Sequence, residues 1–289
     1  MATVLALLVL LGAAGCRHAG PAEVVVHRED TKHYAIWVIE KPSGVRYLRF
    51  DRDGVDQSAV RVDDPNYLEF TYTKAIVGAL SLRPAPKRVL IIGLGGGTLP
   101  RFLRSHLPLA EIDVVEIDPA VVRVARDHLA FRTDAAMRVH VDDGRRFFEV
   151  TQAQWDIVIL DAYGANNIPM HLATEEFLEM VSRRIAPGGM VIANLWAQSA
   201  NIHYSNMVQT YVSAFNTVHG LKGWQSASRI LVAFPQDEAL TKTSFESAAA
   251  RLEAAWSLDV DLQRIVRAGY LGPSALPKRG VAITDESLH

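Results

Sequence analysis

Apolar and polar positions divide the chain into three regimes. The first is an apolar run from Ala2 to Ala14, about 20 Å long as a helix and short of the roughly 30 Å of a bilayer core. Such a run followed by small residues has the form of an export signal, and Ala13-Ala14-Gly15-Cys16 has the form of a loose lipobox in which Cys16 would carry the lipid. No Lys or Arg precedes the run, and position 13 is not the usual Leu. Residues 1–16 are therefore expected to be a signal or lipobox-like segment that attaches the protein to a membrane. A piece of a longer membrane segment and a cytoplasmic extension are the alternatives.

The second regime runs from Val24 to Val62. It holds the apolar stretches Val24-Val25-Val26 and Tyr34 to Ile39, then Val45-Arg46-Tyr47-Leu48-Arg49-Phe50, which alternates with period two. Turn formers separate these stretches, Pro42-Ser43-Gly44 and Asp53-Gly54 among them, and the pattern predicts a small antiparallel sheet of three or four strands over residues 17–65. From Asn66 to Leu82 the spacing of Leu68, Tyr72, Ile76, Val77 and Leu80 is helical, and Pro84-Ala85-Pro86 closes the helix.

The third regime begins after Lys87. Short, mostly apolar runs (Val89 to Ile92, Ile112 to Ile117, Met137 to Val141, Ile157 to Leu160, Met190 to Leu195) alternate with helical patterns at Leu99 to Leu107, Pro119 to Leu129, Glu175 to Ile185 and Asn201 to Phe215. Strands apolar on both faces predict a parallel sheet covered by helices on both sides. The expected fold is α/β: a methyltransferase-like doubly wound sheet over residues 66–289, preceded by the small antiparallel β domain.

Composition narrows the partners. Thirty Lys plus Arg against 32 Asp plus Glu give a net charge of -2, which does not suit a protein that coats nucleic acid. Cys16 is the only cysteine, which excludes an internal disulfide and a Cys-based zinc site. The histidines show no metal-ligand spacing, and no metal is expected.

Chemistry concentrates at the carboxyl ends of the predicted strands. Gly93-Leu94-Gly95-Gly96-Gly97 joins a strand to a helix, where Gly93, Gly95 and Gly97 let the backbone turn tightly and approach a ligand. The next strand ends in Glu116-Ile117-Asp118, which sets a carboxylate where the ribose of a nucleoside would offer its hydroxyls. Asp142-Asp143-Gly144 follows the third strand; an acid there can accept the adenine amino group, and an ordinary Asp-Gly turn is the alternative. Asp161 ends the fourth strand, where it can take a proton from an attacking amine or cap the following turn. Trp196 is either a cavity wall or a core aromatic.

In this order the motifs resemble the spermidine synthase family: the glycine loop, Val115-Glu116-Ile117-Asp118, Asp143-Gly144-Arg145, Asp161-Ala162-Tyr163, Ile168-Pro169 and Leu172-Ala173-Thr174-Glu175-Glu176-Phe177. Asp53-Gly54-Val55-Asp56-Gln57 resembles that family's Asp-Gly-x-x-Gln, so the likeness covers roughly Val45 to Asn194. The resemblance implies that Gln57, Glu116, Asp143, Gly144 and Pro169 contact methylthioadenosine, that Tyr72 and Tyr163 meet the substrate, and that Asp161 accepts the proton. It further implies aminopropyl transfer from decarboxylated S-adenosylmethionine, with no tightly bound cofactor and a homodimer among the expected partners. The partners otherwise expected are the nucleoside and an amine acceptor.

Three departures from that family concern the acceptor. Gly96 stands where its glycine loop carries Asp, Gly164 where a second Asp follows the catalytic one, and Lys74 where Tyr72-Thr73-Lys74 replaces Tyr-His/Gln-Glu. An ammonium without a counter-charge costs several kcal/mol to desolvate, so putrescine is expected to bind poorly unless acids elsewhere compensate. A methyltransferase using S-adenosylmethionine, to which Gly96 is better suited than an acid, and a non-catalytic nucleoside-binding protein are the competing functions.

Overall fold

The computed structural model describes residues 23–164, 168–223 and 227–288, so the expected signal or lipobox segment lies outside the described residues. Four strands, β1 (Val24–Asp30), β2 (Ala35–Glu40), β3 (Val45–Arg49) and β4 (Asp56–Arg61), form an antiparallel meander. Gly44 supplies the left-handed turn residue between β2 and β3 at φ 76°. The alternation seen in the sequence buries Ile36, Val38, Leu48 and Val60 on one face.

Helix α1 (Thr71–Leu80) begins at Thr71 rather than at Asn66, because Phe70 is still extended (φ -82°, ψ 142°). Leu68 is buried all the same, so an irregular segment continues the apolar spacing of the helix and hides its start.

The large sheet then alternates with helices: β5 (Arg88–Ile92), α2 (Thr98–His106), β6 (Glu111–Glu116), α3 (Pro119–His128), β7 (Met137–Val141), α4 (Gly144–Val150), β8 (Trp155–Leu160), α5 (Glu175–Arg183), β9 (Ile185–Trp196), α6 (Tyr204–Ala214), β10 (Thr217–Lys222), β11 (Ser228–Phe234), α7 (Lys242–Trp256), α8 (Leu262–Gly269) and the short β12 (Tyr270–Leu271). The eight strands lie in the order β12-β10-β11-β9-β8-β5-β6-β7. Strands β5 to β9 pair parallel, whereas β11, β10 and β12 pair antiparallel. The expectation of a parallel sheet thus holds for five strands and fails at one edge, where His219 and Gly220 interrupt the apolar pattern of β10.

Helices cover both faces. One layer buries Phe102, Val121, Phe245 and Val266 of α2, α3, α7 and α8, and the meander and α1 share this core. The other buries Phe148, Phe177 and Val208 of α4, α5 and α6. Each such side chain contributes about 1.5–3 kcal/mol through burial. From β5 the chain winds outward to β7 and then returns to β8 on the other side of β5. The order reverses between β5 and β8, which opens a crevice at their carboxyl ends. Among the described residues no helix is long and apolar enough to cross a membrane.

Candidate active site

A cavity of about 910 Å³ occupies this crevice, with the β4 segment of the meander as its far wall. The loop after β5 forms its floor. Gly93 has φ 101°, and a Cβ there would lie 2.4 Å from the carbonyl oxygen of Asp161, so only glycine lets the ends of β5 and β8 approach. Gly95 also lines the cavity. Gly97 does not: it ends the loop at φ 77° beneath Phe131, whose ring a Cβ would meet at 2.8 Å. Its place is in the packing, outside the cavity wall.

Gly96 also faces away. A Cβ there would lie 2.8 Å from Ser58 Oγ and 3.2 Å from Leu129 Cδ1. Ser58 of β4 shares a 3.0 Å hydrogen bond with Thr98, whose hydroxyl donates to the Ala59 carbonyl at 2.9 Å. The site of the missing loop acid is closed by the meander.

Glu116 ends β6 on the cavity wall and is 7% exposed. Its Oε2 accepts from the Leu94 amide and its Oε1 from the Asp118 amide, both at 3.0 Å. Burial raises its pKa, the amides of Asp118 and Leu94 hold it down, and the net displacement is upward. A carboxylate fixed by the glycine loop in this way presents its remaining lone pairs to the cavity.

Asp143 is both a cavity residue and a helix cap. Its Oδ1 accepts from the amides of Arg145 (2.9 Å) and Arg146 (3.1 Å) at the start of α4, and its Oδ2 accepts from His171 Nε2 at 2.8 Å. Burial works to raise its pKa, yet the hydrogen bond from His171 and those amides outweigh it and hold the carboxyl below its usual range. Gly144 packs against Ile92, which a Cβ would meet at 2.8 Å, and Pro169 and Gln57 complete this side of the wall.

Asp161 follows β8, its amide bonded to the Ile92 carbonyl at 2.9 Å. Burial pushes its carboxyl up to about 7, against the lowering effect of Asn194 Nδ2, which donates to Oδ1 at 2.9 Å. Asn194 lies on β9, is 4% exposed, and its Oδ1 has no hydrogen-bond partner among the described residues. The hydroxyl of Tyr163 donates to the Asn194 carbonyl at 2.8 Å, and its ring stacks on Trp196 at 5.0 Å. Tyr72, on the first turn of α1, bonds to the Gln57 carbonyl at 3.5 Å. Burial first, then the Asp161 charge, raises both phenols well above their ordinary value, so they remain protonated donors.

The cavity therefore gathers Gln57, Tyr72, Gly93, Gly95, Glu116, Asp143, Gly144, Asp161, Tyr163 and Pro169 of the expected residues, and leaves out Gly97. Lys74 does not line it either. Sequence reasoning missed Asn194, His171 and Ser58. Asn194 is hidden inside an apolar strand, and His171 could be found only once α4 was known to start at Gly144. Among the described residues six carboxylates line the wall (Asp56, Glu69, Glu116, Asp142, Asp143 and Asp161), and no Lys or Arg does. No cluster of His, Cys, Asp and Glu among them is arranged to hold a metal.

The polyamine aminopropyltransferase of Vibrio vulnificus is 30% identical over 258 residues, which span 84% of this chain and 85% of that protein. The eEF1A lysine and N-terminal methyltransferase of Xenopus laevis is 27% identical, over 64% of this chain but only 29% of its own length. The crystal structure of a probable spermidine synthase from Corynebacterium glutamicum superposes with a TM-score of 0.75, covering 91% of this chain and 97% of that one at 20% identity, and so shares the fold. Residues 69–219 match the spermine/spermidine synthase domain, and the chain belongs to that family.

Proposed function

We propose that the protein is a transferase that moves an aminopropyl group from decarboxylated S-adenosylmethionine to an amine acceptor. The observation that carries this reading is the charge of the cavity wall, six carboxylates and no Lys or Arg among the described residues. Such a wall favours a sulfonium and an amine, both cations, and among the described residues offers no Lys or Arg to the carboxylate of ordinary S-adenosylmethionine. The 30% identity to an aminopropyltransferase over most of both chains supports the same reaction.

In this reading Glu116 accepts the ribose hydroxyls, while Asp143, Gly144, Gln57 and Pro169 surround the rest of the nucleoside. The acceptor nitrogen attacks the aminopropyl carbon beside the sulfonium. The new C–N bond forms as the C–S bond breaks, and the bonding pair leaves with sulfur as neutral methylthioadenosine. Asp161 takes the proton that the nitrogen sheds, a task suited to a carboxyl held near neutrality. Tyr72 and Tyr163 orient the amine. Alignment in the cavity supplies the rest of the acceleration.

Methyl transfer is the second reading, and it drew support from Gly96. That position is packed against Ser58 and Leu129 and does not face the cavity, so the missing acid leaves the choice of co-substrate to the wall itself. The test is product mass. Incubation with each co-substrate and 1,4-diaminobutane is expected to yield the amine extended by one aminopropyl group, from the decarboxylated form alone. A methylated product would overturn the reading.

A further inference from the structure

The six wall carboxylates differ in what neutralises them. Asp56 pairs with Lys41 Nζ at 2.9 Å and Arg49 Nε at 2.5 Å. Asp142 lies 3.7 Å from Arg146, and Asp143 is bonded to His171. Glu116 is satisfied by backbone amides. Asp161 and Glu69 remain, held by neutral side chains: Asp161 by Asn194, and Glu69 by the hydroxyls of Tyr47, at 3.0 Å, and Tyr67. Among the described residues no basic side chain forms an ion pair with Glu69; Lys41 and Arg61 lie over the rings of Tyr47 and Tyr67 instead.

We infer that Glu69 is the anion that recognises the distal ammonium of the acceptor, a specificity role in a cavity where Gly164 stands in place of a second Asp and positions 74 and 96 lie outside the wall. This assignment rests on the aminopropyl-transfer reading above. A diamine in the cavity carries two nitrogens. The one that reacts must give its proton to Asp161, and the other remains a cation that needs its own counter-charge away from that centre.

Glu69 meets the geometric requirement. It lines the same cavity as Asp161, three residues before Tyr72, at most about 11 Å of extended chain. Tyr72 in turn lies close enough to Asp161 for that charge to act on its phenol. Phe70 and Tyr72, stacked at 5.8 Å, line the same cavity and offer apolar surface to the methylene chain. Each oxygen of Glu69 accepts one tyrosine hydroxyl, which fixes the carboxylate and leaves lone pairs for an ammonium.

The measurement is calorimetric titration of the full chain, saturated with methylthioadenosine, with 1,4-diaminobutane and with 1-aminobutane. The parent is expected to bind the diamine at least tenfold more tightly. Glu69→Gln should weaken the diamine about 10- to 100-fold and leave the monoamine and methylthioadenosine unchanged. Equal binding of both amines by the parent, or an equal loss of both in the variant, overturns the assignment and leaves Glu69 as a brace between Tyr47 and Tyr67. Should Glu69→Gln not fold, Glu69→Asp draws the charge back by one methylene and should shift preference toward 1,5-diaminopentane; an unshifted preference is again the overturning result. Binding is read without turnover, so a protein that discriminates the amines but forms no aminopropyl product overturns the transferase reading and keeps the acidic subsite. One that forms the product without discriminating does the reverse.

Discussion

At Asp161 burial in the cavity opposes the charge that proton transfer requires. Its carboxyl titrates at about 7 in the folded protein, against 3.8 for the group in water. Between those values the native state keeps a proton that the unfolded chain has already released, so stability falls as pH rises through this window, and the full cost is present above it. Asp161→Asn removes that cost. Thermal melts should show the variant more stable than the parent by about 1–3 kcal/mol at pH 8 and nearly unchanged at pH 4, while turnover drops about 10²- to 10⁴-fold. A variant no more stable at pH 8 would mean that the charged carboxylate is well solvated. Asn194 acts in the opposite sense, because its amide donates to Asp161 and lowers its pKa. Asn194→Ala should therefore move the acidic limb of the kcat/KM profile to higher pH, and an unmoved limb would remove Asn194 from the machinery. The acids were legible in the sequence because Glu116, Asp143 and Asp161 each stand at or just past the end of a strand pattern. Asn194 was not, since its partner lies 33 positions away on a neighbouring strand.

At the level of elements the glycine loop illustrates what local sequence does and does not reveal. Its position after β5 could be read directly, but which glycines face the ligand depends on the meander packed against it. Gly93 and Gly95 face the cavity, Gly97 supports Phe131, and Gly96 meets Ser58. Restoring an acid by Gly96→Asp should therefore fail. The new Cβ would press on Ser58 and Leu129, and overpacking of this kind costs about 1–3 kcal/mol. The expected outcome is a lower melting midpoint with no gain in polyamine affinity. Adding Ser58→Gly, which removes both the 2.8 Å and the 3.1 Å contact, should recover part of the stability. Tighter polyamine binding by the single variant would show that the loop can turn its side chain toward the cavity after all. Helix α4 escaped notice for a related reason: Asp143-Gly144 reads as a turn, and only the capping bonds to Arg145 and Arg146 show that it starts a helix.

For the molecule as a whole, the sequence suggests two domains divided near residue 65, whereas the packing joins them. A single apolar cluster runs from Ile36, Leu48 and Val60 of the meander to Leu99, Leu129 and Phe131 beneath the large sheet. Polar links cross the same boundary: Ser58 with Thr98 at 3.0 Å, Arg46 with the His128 carbonyl at 2.8 Å, and Arg101 with the Arg61 carbonyl at 3.3 Å. Periodicity assigns each strand a buried face but does not reveal which element covers it, and so the shared core was invisible in the sequence. Its consequence is cooperativity. Leu48 is fully buried, and Leu48→Ala should cost about 2–5 kcal/mol. If the two sheets fold as one unit, hydrogen exchange in denaturant should show peptides from β2 and β3 losing protection together with those from β5 and β8, and the mutation should lower both midpoints equally. Methylthioadenosine, whose proposed cavity is walled by both sheets, should raise both midpoints by the same increment. A Leu48→Ala protein in which only the meander loses protection early would separate the two lobes. The wall carrying Gln57 and Ser58 would then be an independently unfolding cover over the glycine loop rather than part of its foundation.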